Sequence, residues 1–286
     1  MNRALVFAHY DKDNLVAPYV LVYLKALQSV ASTIIFVSTS TLNDETKETL
    51  HPYCKEILLR DNEGYDFMSY KLGLSYIEYS EYDEVILCND SVYGPFYPLS
   101  DPFSTMRTKH VDMWGMTDNY ELSYHLQSYF LVFRQTVLQS DTFKTFWDTV
   151  HMLSNKEQVI EAYEIGLSRH LLQHGFQLDA YSKVEVSLKE RIALQLHTLT
   201  LEKIKRKLTS LVRPTHTPST VGHVNPTLTL WKTLIVDAKM PFIKRELLRD
   251  NPKGVNIDDV YETIQSISGY DVSLIEQHLA RLGKVS

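Results

Sequence analysis

The most informative segment for the fold is Tyr82-Asp-Glu-Val-Ile-Leu-Cys-Asn-Asp-Ser-Val-Tyr-Gly-Pro95, because in it an apolar strand core runs directly into polar residues. Val85-Ile-Leu-Cys88 is followed by Asn89-Asp-Ser91 and then by a turn at Gly94-Pro95. In an open α/β sheet, ligands bind in the crevice beyond the carboxyl ends of the strands. We therefore predict a ligand site at the polar triplet, where a carboxylate suits a metal ion or a diphosphate.

Short apolar runs alternate with helical patterns on both sides of this stretch. Strands are predicted at residues 4–8, 33–38, 56–60, 84–88, 111–117 and 124–133, and helices at 19–27, 41–50, 66–79, 135–152 and 156–175. Such alternation favours an α/β fold with a mostly parallel sheet between layers of helices. The tail reads as short helices at residues 231–236, 241–248, 257–267 and 272–282. We predict an α/β domain at residues 1–185 and a mainly helical C-terminal region at 186–286.

The composition is that of a soluble globular protein, with 286 residues, 44% apolar and 22% charged. The net charge of −6 gives no whole-chain reason to expect nucleic acid binding. Cys54 and Cys88 lie in or beside apolar runs and are predicted to be buried thiols in a reducing compartment. Because no signal peptide and no membrane-spanning stretch is evident, a cytoplasmic location is expected.

A basic helical segment is predicted at residues 189–207. Its lysines and arginines alternate with apolar residues such as Leu194, Leu201 and Ile204. A basic amphipathic helix can lie on an anionic membrane surface, which would suit a lipid-linked partner. The alternative is a helix docked on the protein core with its basic face in solvent.

Four segments resemble the rhamnan synthesis protein F family: Asn62-Glu-Gly-Tyr-Asp66 with Lys71, Asn89-Asp-Ser-Val-Tyr-Gly-Pro95, Trp114-Gly-Met-Thr117 and His125-Leu-Gln-Ser-Tyr-Phe130. Asn225-Pro226, Trp231 and Pro241-Phe-Ile-Lys-Arg-Glu-Leu-Leu248 resemble its C-terminal portion. The resemblance implies a GT-A-like (Rossmann-like) glycosyltransferase. Such an enzyme would build a rhamnose-containing or related cell-surface polysaccharide from a nucleotide diphosphate sugar, with the C-terminal region completing the acceptor side.

A second resemblance, to family-2-like inverting glycosyltransferases, concerns the catalytic base. In those enzymes an acidic pair opens a helix that ends in glycine, and the second acid deprotonates the acceptor. Tyr163-Glu164 stands eleven residues before Gly175 here, so Glu164 is the predicted base and Tyr163 replaces the first acid. Glu161 is the rival base, and a glutamate exposed on a helix face is the non-catalytic alternative.

Asp90 is the predicted contact for a divalent metal, Mg²⁺ or Mn²⁺, or for the diphosphate itself. Asn89 and Ser91 are its predicted neighbours on metal, phosphate or ribose. The usual GT-A metal motif has two acids separated by one residue, whereas this triplet has one acid. The alternative is that Asp90 and Ser91 only cap the following turn.

Further donor-binding residues are predicted after the first and third strands. Asp66 would accept from the base or ribose of the nucleotide, and Lys71 would pair with a phosphate. Asn62 and Gly64 would shape the loop, and Asp11 would bind the nucleotide. The alternative makes Asn62-Glu-Gly64 a turn and Asp66 a helix N-cap.

The sugar and acceptor pocket is predicted around the 124–133 strand. His125 and Gln127 would share one face of that strand, beside Ser128, and Trp114 would stack on a sugar unless it belongs to the core. Three other functions stay open: a retaining transferase, a non-catalytic binding subunit of a polysaccharide assembly complex, and a nucleotidyltransferase. The last would ordinarily carry a glycine-rich loop after the first strand, and residues 9–13 contain no glycine.

Overall fold

A mixed sheet forms the centre of the molecule in the computed structural model, which describes residues 1–120, 122–183 and 225–283. The strand order is β3-β2-β1-β4-β8-β6-β7, with β9 paired to β6. The strands are β1 (Arg3–His9), β2 (Thr33–Ser38), β3 (Glu56–Leu59), β4 (Glu84–Asn89), β6 (Met113–Asn119), β7 (His125–Leu126), β8 (Phe130–Arg134) and β9 (Leu178–Ser182). A separate two-stranded sheet pairs β5 (Val92–Tyr93) with β10 (Ile243–Lys244).

The strands run parallel in the first half of the sheet and in mixed directions in the second half. β1 pairs in parallel with β2 and β4, and β2 with β3. β8 runs antiparallel to β4 and β6, β7 is antiparallel to β6, and β9 is parallel to β6. Of these seven pairs in the described sheet, four are parallel. The predicted α/β class is confirmed: a mostly parallel sheet is flanked by helices and followed by a mainly helical C-terminal part.

Helices cover both faces of the sheet. They are α1 (Pro18–Leu27), α2 (Asp44–Leu50), α3 (Tyr65–Leu74), α4 (Ser100–Arg107), α5 (Gln135–Leu138), α6 (Asp141–Thr149), α7 (Lys156–Val159) and α8 (Gly166–Gln173), with a π-helical turn (Ile160–Ile165) before α8. Successive strand residues point to opposite faces. In β1, Leu5 and Phe7 join the core under α1, whereas Val6 and Ala8 join the core under α3. Both faces are therefore buried, as the unbroken apolar run of β1 predicts.

The C-terminal part packs on the α1 face. Its helices are α9 (Pro226–Thr229), α10 (Trp231–Val236), α11 (Arg245–Asp250), α12 (Val260–Ile267) and α13 (Ser273–Arg281). Trp231, Phe242 and Ile275 share one hydrophobic cluster with Phe7 and Tyr23. The predicted boundary at residue 185 lies at the edge of the described residues and stays a prediction.

The basic segment predicted at residues 189–207 lies outside the described residues. Within the described ranges, no helix combines the length and the apolarity needed to cross a bilayer.

Several elements differ from their sequence-based predictions: α4 and β9 are not predicted, and the helix predicted at residues 135–152 is two helices, α5 and α6. The strand predicted at residues 124–133 is two short strands, β7 and β8, separated by a turn. The helix predicted at residues 241–248 begins as strand β10, because Ile243 pairs with Tyr93 and Lys244 with Val92. Helical spacing of apolar residues cannot reveal this pairing, since the partner strand lies far away in the chain.

Gly94 fixes the docking of the C-terminal segment on the sheet. Its φ is +133°, and an added Cβ would lie 2.3 Å from the carbonyl oxygen of Pro241. That oxygen accepts a hydrogen bond of 2.8 Å from the Phe96 N–H, so it is held in place. A glycine is therefore required here on two grounds, backbone conformation and space.

Replacing this glycine tests the docking. We expect Gly94→Ala to lower the free energy of unfolding by about 1–3 kcal/mol through backbone strain alone, with the clash adding to it. Urea denaturation measures the change. Gly269→Ala is the matched control, because nothing lies within 4 Å of an added Cβ at Gly269. Equal stability of both variants would contradict the close approach.

Candidate active site at the carboxyl edge of the sheet

Three segments of chain meet where β4 ends. Ala8 of β1 is the parallel neighbour of Asn89. Because β8 runs antiparallel to β4, the residues that precede β8 also lie at this edge, and the Asn89 N–H donates to the Tyr129 carbonyl at 3.3 Å. The crevice beyond the carboxyl end of β4 is therefore lined by residues after β1, after β4 and before β8.

Asp90 is buried, 8% exposed, and carries an ion pair with Arg245 of the C-terminal part. Arg245 Nη1 lies 3.0 Å from Asp90 Oδ2 and donates to the Asp90 carbonyl oxygen and to the Tyr19 hydroxyl, each at 2.8 Å. Burial alone would lower the pKa of Arg245, but the Asp90 charge raises it. The guanidinium is therefore permanently charged, and these contacts hold it against Asp90.

Asp66 reaches the same edge from α3. Gly64 adopts a left-handed conformation (φ 70°) before the helix, which places Asp66 in the first turn. Asn89 Nδ2 donates to Asp66 Oδ2 at 2.9 Å, and the Ser91 hydroxyl donates to Asn89 Oδ1 at 2.6 Å. Burial, together with the charge of Glu164, raises the pKa of Asp66 to about 6. Asp66, Asn89 and Ser91, all predicted as donor-binding residues, are joined in one network.

Glu164 extends into this network from the π-helical turn. Its Oε2 accepts hydrogen bonds from the Ser128 N–H, at 3.0 Å, and from the Ser128 hydroxyl. His125 Nε2 lies 3.3 Å from Glu164 Oε1, and His125 Nδ1 lies 2.8 Å from the Ser123 carbonyl oxygen. Both ring nitrogens face acceptors, an arrangement that only the protonated imidazole satisfies fully.

The surroundings of Glu164 keep it ionised. Burial would raise its pKa, but the hydrogen bond and charge of His125, with the Ser128 hydrogen bond, lower it. The rival Glu161 is exposed to solvent. Tyr163, which stands in the place of the first acid, is buried, and its hydroxyl donates to the His151 carbonyl at 2.8 Å. Of these three side chains, Glu164 is the one that faces the site.

Lys244 and Arg245 are the site residues that sequence reasoning missed. β10 places Lys244 Nζ 4.2 Å from the centre of the Tyr129 ring and 3.5 Å from Ser91 Oγ. Burial lowers the pKa of Lys244, and the charge of Glu164 partly opposes this. The available signal was the Lys-Arg pair within the quoted segment at residues 241–248. We call the following residues the carboxyl-edge cluster: Asp66, Asn89, Asp90, Ser91, Ser128, Glu164, Lys244 and Arg245.

Three predicted donor-binding residues make contacts elsewhere. Asp11 pairs with Arg281 of α13, and although burial opposes it, the Arg281 hydrogen bond lowers the pKa of Asp11. Lys71 Nζ donates to the Val150 carbonyl oxygen at 2.6 Å. Asn62 is exposed in the loop before Gly64. Their proposed contacts with a nucleotide stay predictions.

The residues predicted to form the sugar pocket do not all line one pocket, because their side chains contact different parts of the fold. Trp114 is fully buried, with its ring 5.0 Å from that of Phe103, so its side chain belongs to the core and is not free to stack on a sugar. Gln127 follows the end of β7, and its Oε1 accepts from the Thr117 hydroxyl at 2.7 Å. His125 instead faces Glu164. His125 and Gln127 therefore do not share the face of one strand.

The carboxyl-edge cluster does not fit a divalent metal site. Mg²⁺ at a diphosphate is usually held by one or two accessible carboxylates together with water and the phosphate oxygens. In the described ranges, no three His, Cys, Asp or Glu side chains form a group that could hold a metal ion, so a metal here would depend on a free carboxylate at Asp90. Asp90 already holds the Arg245 guanidinium against its Oδ2. The prediction of a metal at Asp90 gains no support from this donor set, and no step below uses a metal.

The raised pKa of Asp66 gives a testable effect of pH on stability. Between the ordinary value of 3.8 and about 6, the folded protein binds more protons at Asp66 than the unfolded chain does. The free energy of unfolding must therefore fall as pH rises through this window. We expect Asp66→Asn to be more stable than the parent by about 1–3 kcal/mol above pH 6, with no difference below about pH 4.

Urea denaturation from about pH 4 to 8 measures this difference. Asp61→Asn, which changes an exposed carboxylate of the preceding loop, serves as the control. A stability difference between Asp66→Asn and the parent that does not change with pH would contradict the assignment.

Comparison with known proteins identifies the family. The sequence profile of rhamnan synthesis protein F matches residues 34–199. Virulence protein VirA of Vibrio anguillarum is 29% identical over 222 residues, which cover 76% of this chain and 69% of that protein. Among solved structures, S. aureus TarS aligns with a TM-score of 0.40 at 12% identity, covering 96% of this chain and 54% of TarS.

Glucosyl-3-phosphoglycerate synthase from Mycobacterium tuberculosis, solved with Mn²⁺ and uridine diphosphate, aligns with a TM-score of 0.36 at 10% identity. That alignment covers 64% of this chain and 81% of the synthase. The profile match spans more than half of the sequence and includes Asp66, Asn89, Asp90 and Glu164. The chain belongs to the rhamnan synthesis protein F family.

Proposed function

We propose that the chain is a glycosyltransferase that uses a nucleotide diphosphate sugar. The transferred group is a hexosyl or deoxyhexosyl unit, rhamnosyl first, and the acceptor is a cell-surface polysaccharide or a lipid-linked glycan. Membership of the rhamnan synthesis protein F family supports a glycosyltransferase activity. The carboxyl-edge cluster supports it independently, because its side chains line the crevice in which open α/β sheets bind ligands. The reaction would take place at the cytoplasmic face of the membrane.

Glu164 is the proposed general base, and the observation that carries the proposal is its position. An ionised carboxylate faces the same crevice as Asp66 and Asp90, while Ser128 and His125 hold it in a fixed orientation. Asp66, Asn89 and Ser91 are proposed to face the nucleotide or ribose of the donor. The C-terminal region would complete the acceptor side, where Gln127 Nε2 lies 3.4 Å from Asn225 Oδ1.

The proposed step is an in-line displacement with inversion at the anomeric carbon. The acceptor hydroxyl gives its proton to Glu164 while its oxygen forms the new bond to that carbon. The bond from the anomeric carbon to the diphosphate oxygen breaks, and its electron pair stays on the diphosphate. The products are the extended glycan and a nucleoside diphosphate.

A donor screen tests the proposal. Purified protein is mixed with a panel of nucleotide sugars and a panel of glycan acceptors, with and without Mn²⁺, and both released nucleoside diphosphate and the glycan product are measured. We expect release from one donor, lost in Glu164→Gln, and inverted stereochemistry in the product. Retained stereochemistry would contradict the role of Glu164 and support a retaining transferase.

One observation favours a second candidate, a non-catalytic subunit that binds nucleotide sugars or glycans. Tyr163 replaces the first acid and is fixed in the core, so the acidic pair of related enzymes is incomplete. For this candidate, thermal shift would report donor binding, while no donor would be consumed even with a glycan acceptor present.

A further inference from the structure

Two cations of the C-terminal segment, Lys244 and Arg245, lie at the crevice where the donor diphosphate would sit. We propose that this pair binds the diphosphate and balances its charge during transfer, in the place where many transferases use a divalent metal. The inference rests on the proposed glycosyltransferase function for its chemistry, and its binding site can be tested separately.

Arg245 occupies the position that a metal at Asp90 would need. Its Nη1 contacts Asp90 Oδ2 at 3.0 Å and also donates to the Asp90 carbonyl oxygen at 2.8 Å. A metal ion on that carboxylate oxygen would have to displace a buried guanidinium held by three oxygens, counting the Tyr19 hydroxyl. The positive charge beside Asp90 is thus already supplied by the protein.

Lys244 is the cation of this pair whose ammonium contacts no carboxylate among the described residues. Within the described residues, its ammonium has no carboxylate oxygen within 4.0 Å, and its contacts are the Tyr129 ring and a long hydrogen bond of 3.5 Å to Ser91 Oγ. A partly buried ammonium that contacts no carboxylate directly is costly, and only part of that cost is offset by the charges of Glu164, Glu246 and Asp66. Burial accordingly lowers its pKa. An incoming phosphate oxygen would supply the missing partner, as charge-assisted hydrogen bonds to phosphate do elsewhere.

The backbone holds both cations ready before the ligand arrives. Lys244 pairs with Val92 in the β10–β5 sheet, and the Arg245 N–H donates to the Ser91 carbonyl oxygen at 2.9 Å. The Ser91 hydroxyl is in turn held by its hydrogen bond to Asn89 Oδ1. Donors fixed in advance stabilise developing charge without reorganisation at the moment of reaction.

The chemistry requires such charge. When the bond between the anomeric carbon and the diphosphate oxygen breaks, the electron pair moves onto that oxygen and the diphosphate gains one negative charge. The acceptor proton goes to Glu164, so it does not neutralise the leaving group. Lys244 and Arg245 are the cations placed to stabilise the departing diphosphate.

Calorimetry with inorganic pyrophosphate in EDTA tests the binding site. We expect the full chain to bind pyrophosphate without metal, Lys244→Met to bind at least tenfold more weakly, and Lys244→Arg to recover most of the affinity. The matched control is Lys239→Met, which removes the same charge from a lysine that also lies over an aromatic ring, that of Tyr97 at 5.5 Å. Thermal unfolding of each variant checks that it is folded.

The donor screen, repeated in EDTA, separates this inference from the proposed function. Turnover that persists in EDTA and falls at least tenfold in Lys244→Met would support it. Pyrophosphate binding and turnover that both require Mn²⁺ and are unchanged in Lys244→Met would overturn it. If no donor is consumed while pyrophosphate still binds in EDTA through Lys244, the cation site stands and the proposed transfer reaction is wrong.

Discussion

Glu164→Gln is expected to reduce kcat by about 10²–10⁴-fold, the usual contribution of a general base. Glutamine keeps the size of the side chain and can still accept hydrogen bonds from Ser128. It cannot take the acceptor proton, so the loss should appear in kcat with little change in the KM for the donor. Initial rates of nucleoside diphosphate release with donor and acceptor present measure the effect.

Glu161→Gln is the matched control for this variant. Glu161 lies on the same turn of helix but is exposed, with its carboxylate in solvent. We expect its rates to equal those of the parent. A loss of kcat in Glu161→Gln together with full activity in Glu164→Gln would reverse the assignment.

The dependence of kcat/KM on pH is a second test of which carboxylate is the general base. A base is active when deprotonated, so the rate falls as pH drops through its pKa. Because the pKa of Glu164 is below its ordinary value of 4.5, the acid limb of kcat/KM should also lie below 4.5 if Glu164 is the base. An acid limb near pH 6 that disappears in Asp66→Asn would instead assign the base to Asp66.

The site residues at the end of β4 could be predicted from sequence, because the relevant signals are local. A buried apolar run that ends in Asn89-Asp90 places a carboxylate at the edge of the sheet, whatever the remainder of the chain does. Asp66 required the family resemblance as well, because a glycine turn before a helix equally predicts that the aspartate is only a helix N-cap. Glu164 required the resemblance to known enzymes, since a single glutamate on a helix is usually a surface residue.

The rest of the site depends on contacts between distant segments. Arg245 meets Asp90 across 155 positions of sequence, and Arg281 meets Asp11 across 270. Tertiary packing brings these partners together, and for Arg245 it includes a β5–β10 pairing that is two residues long. Trp114 illustrates the same point in reverse. Its alternating strand pattern allows either face, and packing against Phe103 and Phe130 in the folded protein buries it.

Breaking the Asp90–Arg245 pair is expected to have the second large effect. Asp90→Ala leaves the partly buried Arg245 guanidinium without its counter-charge, which typically costs about 3–5 kcal/mol of unfolding free energy. The Asp90 carbonyl oxygen and the Tyr19 hydroxyl still accept from Arg245, so a value toward the lower end of that range is expected. Urea denaturation measures the loss.

A double-mutant cycle separates the pair from its surroundings. Asp90→Ala, Arg245→Met and the double variant should not be additive, with a coupling energy of about 1–3 kcal/mol. The exposed pair Lys232–Asp259 provides the control, since its side chains are 56% and 41% exposed. Its coupling should be much smaller than that of Asp90 and Arg245, as for surface ion pairs. Equal coupling in the two cycles would mean that Asp90 and Arg245 are no more than a surface pair.

The activity of the double variant distinguishes a structural role of the Asp90–Arg245 ion pair from a role in binding the donor. If Asp90 serves only to hold Arg245, removing both charges relieves the unpaired guanidinium, and a folded double variant should recover stability beyond Asp90→Ala. Its turnover must nevertheless stay low if Arg245 binds the diphosphate, because the cation is gone. Recovery of both stability and turnover would show that the ion pair is structural. Recovered stability with turnover at least tenfold below the parent would place the Asp90–Arg245 pair on the donor, since the fold then no longer explains the loss.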